Sequence, residues 1–248
     1  MNLGWRVFPA LAAAVFVCVS ASTAFAQSLP NSSCWVQHKM SSGSFPVRSA
    51  CMMPPQGHLF RIGVKGAQSL TRESDAWGVA LEYLVVSHLK SDGIAVHSAT
   101  NPLSTGASAD EIRSAISQVQ EKFDAISPLM RKKPGRIGKA AYTLGDQAGM
   151  LPCSENSDIL VFVQGAGQVL TDGRTTMTFF VGGPTEDAVV FVTMADAKTG
   201  EIVGFIRMRP SSDGSLEKAE DAFGEGLDYG LETLNIGSAR KNAEARGR

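Results

Sequence analysis

The alternation of apolar and polar positions is clearest over residues 188–209, AVVFVTMADAKTGEIVGFIRMR, which reads as a β-hairpin. Val189, Phe191 and Thr193 alternate with Val190, Val192 and Met194, and the β-branched and aromatic content suits a pleated surface buried on at least one face. Asp196 opens an Asx-type turn, Gly200 supplies a residue able to take positive φ, and Glu201 to Ile206 runs back. Residues 158–169, DILVFVQGAGQV, form a second apolar strand, and 175–181, TTMTFFV, is its expected partner across the Thr171-Asp172-Gly173 turn. Earlier, 58–64 and 94–97 read as short strands.

Helical spacing appears three times. Residues 75–90, capped by Ser74 or Asp75, put Trp77, Ala80, Leu81, Leu84, Val85 and His88 on one face and stop at Gly93. Residues 109–126 repeat Ile112, Ala115, Ile116, Val119, Phe123 and Ile126, with Ser108 and Glu111 at capping-box spacing and Pro128 marking the end. Residues 215–234 carry Leu216, Phe223, Leu227, Leu231 and Leu234 on one face. Gly224, Gly226 and Gly230 weaken this helix by roughly 1 kcal/mol each relative to Ala, so close packing on a sheet is the expected compensation. A short helix near 140–148 fills the glycine-interrupted stretch before the long strand. These elements define one α+β domain: a mixed or antiparallel sheet of about five strands with three main helices packed on it.

The ends change the picture. Residues 1–26 have a lone Arg6, an apolar core and an Ala24-Phe25-Ala26 cleavage site, the form of a secretory signal. The apolar run is shorter than the ~20 residues of a spanning helix. Cys18 lies within that run, without the small residues that precede a lipid-bearing cysteine. Residues 27–57, rich in Ser, Pro, Gly and Met, read as an irregular cysteine-bearing arm, 58–236 as the domain, and 237–248 as a disordered basic tail. The localisation expected is periplasmic or secreted. Of 23 Lys and Arg the signal holds one and of 24 Asp and Glu none, so the exported chain is slightly acidic and no nucleic-acid partner is expected.

Three cysteines then remain, an odd number for an oxidising compartment. Cys34 with Cys51 is the favoured pair, because it closes a short loop containing Gly43 and Pro46. Such a loop contributes ~3 kcal/mol in the chain-entropy account. Cys51 with Cys153, which would staple the arm to the domain, is the competing pair.

Catalytic patterns are missing: the sequence has no HExxH, CxxC or GxSxG. Gly165-Ala166-Gly167 lacks the third glycine and the following helix of a nucleotide loop, and reads as a bulge or turn. Two sets of residues carry candidate chemistry. Cys34, His38, Met40, Cys51, Met52, Met53 and His58 bring together the thiolate, thioether and imidazole ligands that Cu(I) prefers, unless a Cys34–Cys51 disulfide removes both thiolates. Arg131, Lys132, Lys133 and Arg136 form a basic run able to meet an acidic partner or anionic surface, or simply to favour a helix C-terminus.

The helix ending Leu89-Lys90-Ser91-Asp92-Gly93, the strand Ile94-Ala95-Val96, the acid-led strand from Asp158 to Gly165 and the hairpin motif Asp196-Ala197-Lys198-Thr199-Gly200-Glu201-Ile202-Val203 follow one another in a telling order. This order resembles the small α/β domain of bacterial envelope proteins related to the curli-assembly lipoprotein and to lipoprotein activators of cell-wall synthases. The resemblance implies a non-enzymatic exported module, without cofactor, that binds an envelope protein or associates with itself. It transfers no catalytic residue, and without a lipid-bearing cysteine it does not extend to pore formation. The alternative function is a periplasmic copper-binding or redox protein that uses the arm.

Overall fold

The computed structural model describes residues 32–63, 66–101, 108–170, 187–209 and 216–236. The signal segment, the expected strand at 175–181, most of the loop at 101–107 and the basic tail lie outside them.

The domain is α+β, and its eight described strands, more than the five expected, form one mixed sheet. The strands are β1 (Ser32–Val36), β2 (Ser49–Met52), β3 (Gln56–Gly63), β4 (Gly66–Ser69), β5 (Ala95–Ser98), β6 (Ile159–Leu170), β7 (Asp187–Asp196) and β8 (Ile202–Met208). Three long helices, α2 (Thr71–Ser91), α3 (Ala109–Lys132) and α4 (Leu216–Thr233), accompany a single turn, α1 (His38–Ser41). The order β1-β8-β7-β6-β2-β5 is mixed: β2 pairs parallel with both β5 and β6, while β7 pairs antiparallel with β6 and β8.

The segment expected to be an irregular arm is therefore part of the sheet. Ala50, Cys51 and Met52 of β2 stand against Ile159, Leu160 and Val161 at the start of β6. After Pro54-Pro55 the same segment resumes as β3 and pairs with Gln164 to Leu170. Proline has no N–H to give a ladder, so the pair divides one long run into two strands on one edge of β6. Asp158 fixes the register: its Oδ2 accepts from the backbone N–H of Arg48 and Ser49 at 2.7 and 3.0 Å, and from Ser49 Oγ at 3.1 Å.

Helices cover both faces. On one, Trp77, Leu81, Val85 and Leu89 of α2 join Phe223, Leu227 and Leu231 of α4 over Val161, Val163, Val192 and Ile206. Helix α2 starts before the expected cap, at Thr71, and Ser74 instead accepts the N–H of Leu59 at 2.8 Å. Gly165 and Gly167 form neither loop nor bulge. They lie inside β6 beneath α2, where a β-carbon on Gly165 would stand 2.5 Å from Leu81 Cδ1 and 2.8 Å from Trp77 Cη2. The compensation expected for α4 is present at Gly226 and Gly230, which lie against Ser32, Met208 and Ile206.

On the other face α3 packs Val119, Phe123 and Met130 over Leu160 and Phe162, with Phe123 and Phe162 stacked at 4.0 Å. The Ser108–Glu111 capping box is present. Pro128 does not end the helix, which runs on to Lys132. The missing N–H removes one helical bond, while Met130 beyond it is fully buried and Tyr142 Oη donates to the carbonyls of Leu129 and Lys133. In place of a helix at 140–148 the chain makes three 3₁₀ turns, Pro134–Lys139, Gly145–Met150 and Pro152–Asn156.

Candidate functional site

The disulfide joins Cys51 to Cys153, with Cα atoms 5.7 Å apart. The favoured Cys34–Cys51 pair is thus corrected in favour of its competitor, and strand order gives the reason. Four strand spacings of about 4.8 Å separate β1 from β2, far beyond the reach of about 7 Å that a disulfide allows. Moreover, Cys34 packs on the α4 side of the sheet and Cys51 on the α3 side. The Cys34 thiol is free; it points at the Gly230 carbonyl at 3.8 Å, and burial pushes its pKa up to about 12.

The soft-metal set is dispersed by the same topology. Met40 and Met52 are buried on the α2 side, Met53 is buried on the α3 side, Cys51 is oxidised, and His38 and His58 are exposed. Among the described residues no three His, Cys, Asp or Glu side chains come together as a metal site.

The basic run divides. Lys132, Lys133 and Arg136 are exposed around the end of α3. Arg131 turns back over the sheet, its guanidinium carbon 4.3 Å from the Phe191 ring centroid and its Nη2 donating to Gln164 Oε1 at 2.6 Å. Partial burial lowers the pKa of this guanidinium, and the charge of Asp124 acts in the opposite direction.

Gln164 anchors a polar network inside the sheet. It is buried in β6, accepts from Ser127 Oγ at 2.8 Å as well as from Arg131, and donates to Gln56 Oε1. Gln56 donates in turn to Asp124 of α3. A buried amide in a central strand is tolerated when its donors and acceptors are met, and here they hold the end of α3 to the sheet.

Beyond this network α3 no longer covers the sheet. Next in register on the same face come Ala166 beside His58 and Val189, then Gln168 beside Phe60. Ala166 and Val189 are half-buried, and Phe60 is 37 % exposed. Phe60, Ala166, Gln168, Val189 and Arg209 line a depression of about 290 Å³. Arg207 stands opposite Phe191 in the ladder, on the same face. The basic run signalled Arg131 in the sequence. Arg207, Arg209, Gln164 and Phe60 are absent from the sequence reading; the signal for the three polar residues is the polar break at alternate positions near the ends of apolar strands, and Phe60 carries no such signal.

Among the described residues no helix is long and apolar enough to cross a membrane. No family model matches the chain, and no curated protein matches it. Solved structures give faint likenesses. The PelC dodecamer from Paraburkholderia phytofirmans is 12 % identical over 82 % of this chain and 95 % of that one, with a TM-score of 0.35. A point variant of it is 11 % identical over 83 % and 98 %, with a TM-score of 0.37. The LpoB C-terminal domain from Salmonella enterica is 10 % identical over 70 % and 94 %, with a TM-score of 0.28.

Proposed function

We propose that this protein is an exported, non-enzymatic module of the cell envelope that works by binding a protein partner or by associating with itself. The observation that carries the reading is the end of the α3 side of the sheet, which no described helix covers. There, among the described residues, Phe60, Ala166 and Val189 stay partly exposed on the face that also carries Arg131, Arg207 and Arg209. Apolar strips rimmed by polar residues mark interaction surfaces. Export is supported by the signal-like residues 1–26 and by the Cys51–Cys153 disulfide, which suits an oxidising compartment.

A native mass spectrum of the protein isolated from the periplasm without reductant or chelator tests this. The expected species lacks residues 1–26, is two hydrogens lighter than the reduced chain, and travels as an oligomer or with a bound protein. A single unpartnered chain under conditions that preserve known complexes, or turnover of an envelope substrate by the purified protein, would overturn it.

A further inference from the structure

Strand β8 and the residue just past it deliver two cations to the end of the sheet that no described helix covers. Arg207 and Arg209 are two residues apart and so share a face, the one that holds Phe191 and Val189. Neither takes part in an ion pair among the described residues. Burial, and then the charge of Arg209, lowers the Arg207 pKa. Arg131 approaches from the α3 side, where it contacts the Gln164 amide oxygen and the Phe191 ring and feels the opposite charge of Asp124. Two cations, Arg207 and Arg209, thus stand together on a chain whose formal net charge is −1, with Arg131 on the same face over Phe191.

Beside them the floor has a small residue, Ala166, next to Val189 in the ladder and diagonal to Phe60, which stands one row further on beside Gln168. The depression spans two ladder rows, about 7 Å along the strands, which accommodates a side chain and is short for an acyl chain. Its volume of about 290 Å³ exceeds the roughly 150 Å³ that holds a benzene ring. Guanidinium groups pair with carboxylates through two parallel hydrogen bonds, so paired arginines beside an apolar seat favour an acidic segment with an apolar anchor.

We infer that this face binds a polypeptide segment that presents carboxylates to Arg207 and Arg209 and seats an aromatic or branched aliphatic side chain on Ala166 beside Val189 and Phe60. The inference rests on the reading of the protein as a binding module and names the partner's chemistry.

The test is fluorescence anisotropy of the disulfide-intact full protein with a fluorescein-labelled peptide, Glu-Glu-Leu-Phe-Glu-Glu, at low salt. The comparators are Lys-Lys-Leu-Phe-Lys-Lys and Glu-Glu-Ser-Ser-Glu-Glu. Saturable binding is expected for the first peptide alone. R207E/R209E weakens it tenfold or more by reversing the charge, and A166W does so by filling the seat; both variants keep the wild-type melting transition. If R207E/R209E does not fold, the exposed single change R209E gives the charge test. No saturable binding, equal binding of the lysine peptide, or binding indifferent to both variants would overturn the inference. So would transfer of the same arginine dependence to phosphatidylglycerol vesicles, or a dimer that R209E splits, since these place a lipid surface or a second copy on the face. A partner that crosslinks at position 60 while the peptide fails would leave the binding module standing and remove only its assigned chemistry.

Discussion

Trp77 of α2 lies over Gly165 of β6 so closely that a β-carbon on the glycine would come within 2.8 Å of the indole. Gly167 repeats the arrangement under Leu59, so the flat middle of β6 is what lets a tryptophan-bearing helix settle on the sheet. Gly165→Val is expected to destabilise the domain by about 1–3 kcal/mol through overpacking. Gly149→Ala, where a β-carbon meets nothing within 4 Å, serves as the neutral control. Urea midpoints of the two variants check this, and equal midpoints would show that the helix shifts freely.

The hairpin turn is constrained twice. Gly200 has φ of +70°, and a β-carbon there would stand 2.4 Å from the Gly145 carbonyl oxygen. Asp196 Oδ1 accepts from the N–H groups of Lys198 and Thr199, while Lys39 pairs with both Asp196 and Glu201 across the turn. Gly200→Val should lower stability by roughly 1 kcal/mol or more, because a β-branched residue resists positive φ and the neighbouring backbone leaves no room. An unchanged melting temperature would contradict that.

The Cys51–Cys153 bridge closes a separation of 102 residues, for which the chain-entropy account gives about 4–5 kcal/mol. Cys153→Ser is expected to lose a large part of the stability, and Cys34→Ser little. Thiol counting on the unfolded, unreduced protein should find one free cysteine besides any in the signal segment. Peptide mapping that found Cys34 bridged would refute the pairing.

Cys34 also supplies a pH signature. An ordinary cysteine ionises near pH 9, whereas burial holds this thiol protonated up to about 12. Between those values the folded state binds the extra proton, so the contribution of Cys34 to stability is constant below pH 9 and declines as pH rises through the window. The wild-type protein should therefore lose more stability between pH 8 and 10.5 than Cys34→Ser. Parallel slopes in urea titrations would show that the thiol is not buried in solution.

The sequence made some of this legible because the relevant physics is local. Ser108 and Glu111 are three residues apart, and Asp196 to Gly200 is one turn, so cap and hairpin could be read directly. The extent of α3 was misjudged at Pro128, because Met130 and Tyr142, which hold the last turn, act through tertiary contacts. Strand β2 is only four residues long and pairs in parallel with segments distant in the chain, so no alternation announced it. With β2 unannounced, Cys34 and Cys51 are related only by the short loop between them, whereas four strand spacings separate them in the sheet. The candidate face was obscured for the same reason. Arg131 comes from α3, Phe60 from β3, and Arg207 and Arg209 from β8 and the residue just past it, and only the register of β3, β6, β7 and β8 puts them together.

The end of the α3 side of the sheet that no described helix covers is the surface on which this account depends, and crosslinking from it is the most direct test. A photoreactive phenylalanine analogue is placed at Phe60, on that face, and separately at Tyr83, which is 77 % exposed on α2. Irradiation of cells producing each protein should give a discrete higher-mass adduct from position 60, absent from position 83 and reduced by R207E/R209E. No adduct from position 60, or adducts only from position 83, would contradict the account.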